Sequence, residues 1–328
     1  MSTRSNEAVL DLTERMLHLR QIPVATMLPT EVIRMLASAM TSRRFAPKRT
    51  VLEQGAPMDA MYLLTEGALE LTRNGAPFGT IKAPQTVGFL PILARQETPY
   101  DGVASEETRA LELETDTLFE LFADHFELLA ATLRYFAERL WLEFQELPQQ
   151  ALGMPPVDLG PIPSRPLDLV EKMLVLRKTS GFATANLNGL AIMARQLEEV
   201  RLPAGTALWK PGDRGERVVF LIKGSIFCKT DDGREFRYGP GTGVGGIEAI
   251  ADRPRWYAAT AETEIAGFYG HTENLMDLFE HQHRMAMDFV AMLAKAQIGL
   301  LERKAKLGVD PLAAVQKVKK LGAIRYGA

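Results

Sequence analysis

The chain has 328 residues, an apolar share of 46% and a formal net charge of −3. That length suits two ordinary domains with real cores, and the near-neutral charge excludes a general electrostatic drive toward nucleic acid or anionic membrane. A single cysteine, Cys228, excludes a disulfide framework, and no apolar run reaches the length of a membrane span.

A helix opens the chain over Glu7–Arg20, and a second lies in "LPTEVIRMLASAM", starting at Pro29 or Thr30. The basic run "SRRFAP" from Ser42 reads as a solvated turn ahead of the first strand. Short strands follow in "TVLEQG", "AMYLLTEGALELTRNG" and "FGTIKA", where alternating apolar residues and an Asn-Gly pair signal hairpins. After "VGFLPILARQETPYDGVA" comes a long helix from Glu127, "ELLAATLRYFAERLWLEF". Its apolar face is set by Leu129, Leu133, Phe136, Leu140 and Phe144. The stretch Leu147–Pro166 is too rich in proline and glycine for a continuous helix or central strand, and reads as a linker that is stiff in parts. A helix over Asp168–Lys178 then begins a second series: "ALWKPGD", "RVVFLIKGSIFCKTDDG", "FRYG", a glycine run, "IEAIAD", a strand over 255–261, and a long helix from Arg284 to about Lys304. Within this series Cys228 reads as a small buried hydrophobe. A basic tail helix, capped by Asp310 with Pro311 in its first turn, ends the chain.

The second series repeats the first. "DLTERMLHLR" at Asp11 and "DLVEKMLVLR" at Asp168 are offset by 157 residues. The same offset carries Gly55 to Gly212, Gly67 to Gly224, Gly88 to Gly245, Tyr100 to Tyr257 and Ala104 to Ala261, with a one-residue slip near Asn74-Gly75. Chance does not keep so many turn glycines in phase, so one domain is written twice. The expected organisation is a first domain over 1–146, a linker over 147–166, a second domain over 167–304 and a tail over 305–328.

The glycines Gly241, Gly243 and Gly246 fit G-x-G-x-x-G, but no buried strand precedes them and Pro254 stops the helix that follows after barely two turns. A dinucleotide site needs both, so that reading is set aside. Of the neighbouring histidines His271, His281 and His283, the last two are two apart on one expected helix and so point to different faces, which argues against a metal site. No nucleophile–base or paired-carboxylate spacing is recognisable, and the expectation is a non-enzymatic protein without a resident cofactor.

The stretches Glu53–Leu71 and Lys210–Phe227, each with a turn glycine, an apolar strand and a second glycine, resemble the cyclic-nucleotide-binding domain. That domain is shared by catabolite-activator-type regulators, regulatory subunits of cyclic-AMP-dependent kinase and gated channels. "VGFLPILARQETPYDGVA" and "VGGIEAIADRPRWYAATA" fall where that family keeps its phosphate-binding cassette, F-G-E-L-A-L-x-x-x-x-P-R-A-A-T. The resemblance implies an α+β fold: two β-rolls of jelly-roll type, each flanked by helices, in a pseudo-twofold arrangement.

It also implies a glutamate for the ribose hydroxyl and an arginine for the cyclic phosphate. This chain has Phe89 or Gly246 at the first position and Tyr100 or Tyr257 at the second. Tyrosine donates a hydrogen bond without charge. Two missing contacts to charged groups, at ~1.5–3 kcal/mol each, weaken binding by on the order of 10² or more. The first cassette (Gly88, Phe89, Tyr100) is thus read as degenerate. The second, with Gly245, Gly246, Ile247, Glu248, Arg255 and Tyr257, is the candidate anion site. Arg255 is expected to reach a phosphate from the face it shares with Tyr257, and any cyclic nucleotide to bind weakly.

The leading expectation is a cytoplasmic, bacterial regulatory or scaffold protein. It would engage another protein, or itself, through the closing helices or the tail; the alternative is an anionic small-molecule sensor working through the second copy. Only one helix remains after the second closing helix, too little for a helix-turn-helix, so sequence-specific DNA binding is not expected.

Overall fold

Every strand of the first copy has a counterpart 157 residues later. The computed structural model describes residues 3–179, 182 and 185–309. The first copy runs α1 (Thr3–Leu19), α2 (Thr30–Ala39), β1 (Thr41–Phe45), β2 (Thr50–Leu52), β3 (Ala60–Glu66), β4 (Ala68–Arg73), β5 (Ala76–Lys82), β6 (Gln85–Val87), α3 (Phe89–Ala94), β7 (Asp101–Ala104), β8 (Thr108–Glu114), α4 (Thr115–Asp124) and α5 (Phe126–Gln145). The second runs α6 (Leu169–Lys178), α7 (Leu187–Gln196), β9 (Glu198–Leu202), β10 (Ala207–Trp209), β11 (Arg217–Lys223), β12 (Ile226–Thr230), β13 (Glu235–Tyr238), β14 (Gly243–Val244), α8 (Gly246–Ala251), β15 (Tyr257–Ala261), β16 (Ile265–His271), α9 (Thr272–His281) and α10 (His283–Lys306).

The topologies agree strand for strand. In the first copy the two antiparallel sheets are ordered β1-β8-β3-β6 and β2-β7-β4-β5. In the second they are β9-β16-β11-β14 and β10-β15-β12-β13. Inward-facing residues of each pair of sheets meet in one core. Leu52, Leu64, Leu69, Leu71, Ile81 and Tyr100 build the first; Val219, Leu221, Ile226, Cys228, Phe236 and Tyr257 build the second. By contact, one compact unit comprises Met1–Tyr135 with Ala294–Ala328, and the other Phe136–Leu293. The division falls inside α5 and α10, and the linker 147–166 belongs wholly to the second unit.

Local chemistry accounts for the helix starts. Asp168 caps α6: its carboxylate accepts from the Glu171 amide at 2.9 Å, while Glu171 accepts from the Asp168 amide at 2.9 Å. Asn186 caps α7 by accepting from the Gly189 amide at 2.8 Å.

Three expectations need correction. The "SRRFAP" run is not a turn: Thr41–Phe45 is strand β1, paired with β8, and Arg43 is ion-paired with Glu112. Four of its five residues are exposed, so it lacks the apolar alternation that marks a half-buried strand. The strand read over 255–261 begins at Tyr257, because the Arg255 amide and carbonyl bond to Asp213 and Gly212 in a loop and not to a ladder. His281 and His283 sit on successive helices either side of Gln282, at a corner and not on one helix. The expected tail helix from Asp310 lies outside the described residues.

Candidate ligand-binding cassettes

Both cassettes are built the same way. A left-handed glycine, Gly88 or Gly245 (φ 80° and 81°), turns the chain into a six-residue helix, α3 or α8. A left-handed residue, Arg95 or Asp252 (φ 53° and 51°), ends it.

The first cassette is closed by its own apolar side chains. A Cβ at Gly88 would lie 2.7 Å from Met58 Cε, so the glycine admits a methionine of its own chain. Phe89 is half-buried on α3, and Pro91, Ile92, Leu93 and Ala94 are buried. Tyr100, at the position of the family's arginine, is buried and stacks on Phe78 with ring centroids 5.6 Å apart. Asp101 beside it accepts from the Gln54 amide at 2.8 Å.

The second cassette gathers the candidate residues around a buried ion pair. Glu248 and Arg255 are each 3% exposed, and Arg255 Nη1 stands 3.5 Å from Glu248 Oε2. The same Nη1 donates to the Gly245 carbonyl at 2.6 Å, and Nη2 donates to the Arg217 carbonyl. The guanidinium lies 4.2 Å from the Trp209 ring centroid, a cation–π contact within a desolvated site. A Cβ at Gly245 would lie 2.3 Å from Nη1, so this glycine makes room for Arg255 itself. Burial pushes the Glu248 pKa up, and Arg255 pulls it back only in part.

Tyr257 is 1% exposed and enclosed by aromatics. Its ring centroid lies 5.0 Å from Trp256, 5.2 Å from Phe236, 6.0 Å from Trp209 and 6.4 Å from Tyr238. Burial, with Glu248 nearby, raises the pKa of both tyrosines well above the usual phenol. It raises the Cys228 thiol too. These groups are neutral near pH 7 and supply no cation.

Thus Gly245, Glu248, Arg255 and Tyr257 do converge, and Arg255 and Tyr257 share an interior. The Arg255 guanidinium, however, is spent on two carbonyls and a carboxylate of its own chain. Sequence reading missed Trp209, Phe236, Tyr238, Trp256 and Cys228 as the shell of this site. Period-two alternation puts Phe236 and Cys228 inside, but nothing in sequence sets them beside α8. The G-x-G-x-x-G match dissolves: Gly241 faces Val157, Gly243 faces the Phe220 ring, and Gly246 faces Val218. Among the described residues no group of three His, Cys, Asp or Glu side chains is placed to hold a metal, and no helix is long and apolar enough to cross a membrane.

Each copy is therefore a helix-flanked antiparallel β-roll with a glycine-turned short helix between its sixth and seventh strands. The family model for the cyclic nucleotide-binding domain matches residues 42–125 and 199–282, stretches 157 residues apart that together span just over half the chain. The chain belongs to that family. Among solved structures it is similar to a regulatory subunit of a cAMP-independent protein kinase A from Trypanosoma brucei. That match has 16% identity, covers 87% of this chain and 89% of that one, and has a TM-score of 0.36. It is also similar to the regulatory domain of Toxoplasma gondii protein kinase A, crystallised with cAMP, at 14% identity over 87% and 97% of the two chains, TM-score 0.34. A third match is the N-terminal domain of a transcriptional regulator from Streptomyces coelicolor A3(2), at 24% identity over 41% and 96%, TM-score 0.35. No curated protein matches the chain.

Proposed function

We propose that this chain is a non-enzymatic regulatory or scaffold protein whose two cyclic-nucleotide-binding domains act as protein-interaction modules, with cassettes filled by their own side chains. The observation that supports this most is the second cassette. There a buried carboxylate, Glu248 on α8, faces the buried Arg255 guanidinium at 3.5 Å, so the cassette carries its own anion and its own cation. An internal anion and cation at the cassette replace the ligand's phosphate and its grip. In the first cassette, Tyr100 packed on Phe78 stands where the family pattern has a cation. A guanidinium already holding two carbonyls and a carboxylate gains little by exchanging them for a ligand, because each bond made to ligand is one broken internally.

Calorimetric and NMR titration of the full chain with cyclic AMP, cyclic GMP and cyclic dinucleotides tests this. The expected result is no saturable heat or chemical-shift change up to millimolar concentration, together with capture of a defined protein partner from the native cell. Saturable binding that disappears in Arg255→Ala and survives in Tyr100→Ala would replace this reading with that of a small-molecule sensor working through the second roll.

A further inference from the structure

The linker is stitched to the second roll at the approach to its cassette. The Met154 amide donates to the Arg237 carbonyl at 3.4 Å, giving a parallel bridge to Tyr238 on β13, an edge strand of its sheet. The Val157 amide donates to the Pro240 carbonyl at 2.8 Å. Both ends of the segment are anchored. Upstream, Arg234 Nη1 donates to the Leu147 carbonyl at 2.7 Å and Leu152 packs against the roll's core; downstream, Lys178 Nζ donates to the Leu159 carbonyl at 2.9 Å.

The backbone contact is too close for side chains. A Cβ at Gly153 would lie 2.6 Å from the Arg237 carbonyl oxygen, one at Gly239 2.7 Å from Pro156 Cβ, and one at Gly241 2.6 Å from Val157 Cβ. Gly239 lacks a left-handed φ, so only the linker's approach explains a glycine there. The first copy supplies an internal control. The positions equivalent to Gly239 and Gly241 are Lys82 and Pro84, which carry side chains.

Gly241 lies four residues before Gly245. Its amide donates to the Leu221 carbonyl at 2.8 Å, and the Leu221 amide returns to Thr242 at 2.9 Å. β14 then leads straight into Gly245, whose carbonyl holds Arg255. A contiguous chain of contacts thus runs from linker to turn, from turn to β14, and from β14 to the cassette.

We propose that Met154–Val157 is a strap that holds the second cassette in its self-filled state through the Gly239–Gly241 turn. The strap is built to release. It has two backbone hydrogen bonds, its two prolines donate none, and Met154 and Val157 are 49% and 44% exposed, features of a segment that opens well below the global unfolding free energy. Displacing it frees the turn, and with it the Gly245 carbonyl and Arg255. The inference rests on the self-filled reading only for the direction of the change.

Hydrogen exchange on the ligand-free full chain tests it. Gly239→Ala is expected to speed exchange at least tenfold both in the strap (residues 152–158) and in the cassette (242–252), with the first copy's 85–95 unchanged. Adding Pro156→Gly, which removes the Cβ that the new methyl meets at 2.7 Å and leaves the Cα at 3.0 Å, is expected to restore both in part. Val157→Ser, on the strap itself, disturbs no core residue and is expected to act in the same direction if Gly239→Ala fails to fold. Faster exchange in the strap with an unchanged cassette would overturn the proposal, as would a cassette that loosens while the strap stays protected. A cyclic-nucleotide titration that succeeds would overturn the proposed function and leave these exchange results standing.

Discussion

Replacing Arg255 by methionine keeps most of the side-chain volume and removes the cation paired with Glu248, where both partners' side chains are under 5% exposed. Breaking a buried ion pair from one side costs about 3–5 kcal/mol, because the remaining charge keeps its desolvation penalty without a counter-ion. At roughly 2–4 °C per kcal/mol for a unit of this size, Tm of the second unit falls by about 6–20 °C. The loss depends on pH, and its sign follows from Glu248. Burial holds the folded-state pKa of that carboxyl above its ordinary 4.5. The native state therefore binds more protons than the unfolded state from about 4.5 upward, and stability falls as pH rises through that interval. Arg255 opposes this shift. Without it the folded pKa rises further, so Arg255→Met is most harmful at pH 7–8 and least near pH 4.5. Adding Glu248→Gln removes the orphaned charge and should flatten that pH dependence while recovering stability relative to Arg255→Met. Thermal unfolding by circular dichroism between pH 4.5 and 8 measures all three variants. A Tm within about 2 °C of wild type and an unchanged pH profile would mean that Arg255 is not committed to the fold and that the cassette is not self-filled.

Gly88→Ala and Gly55→Ala form a pair with nearly equal φ (80° and 81°) and different surroundings, Met58 Cε at 2.7 Å in the first and open space in the second. Both should lose about 1–2 kcal/mol from the left-handed backbone, and Gly88→Ala measurably more, by urea unfolding. Asp168→Ala removes the α6 cap and should cost about 0.5–2 kcal/mol. Its box partner Glu171 is held at about 2 by the Arg165 guanidinium and the Asp168 amide. The contribution of Glu171 is therefore present in full above its ordinary 4.5 and lost as pH falls through about 2, which NMR shifts of α6 follow. Cys228, the chain's single cysteine, is fully buried with a thiol pKa raised by burial, so native protein should react with a thiol reagent only on opening. Arg255→Met should accelerate that reaction, and an equal rate in wild type and variant would count against the site's role in closing the roll.

The repeat, the strand-rich copies and the left-handed glycines were legible in sequence because they depend on neighbours a few residues away. Turn glycines recur where a positive φ is required, and alternation marks strands with one wet face. A single 157-residue offset therefore mapped β3 onto β11, β4 onto β12 and α3 onto α8 before any contact was known. What sequence left open depends on which distant atoms meet. β1 went unread because an edge strand with four exposed residues has no apolar period. Arg255 read as a free cation beside Tyr257, since its consumption by Gly245, Arg217 and Glu248 involves residues 7 to 38 positions away. Gly241 fitted a glycine fingerprint and Gly239 fitted none, yet the atoms that exclude a side chain at both belong to Pro156 and Val157 of the linker. Local conformational preference writes itself into composition and spacing; the filling of a cassette is decided by packing between segments far apart in the chain, and only tertiary structure records it.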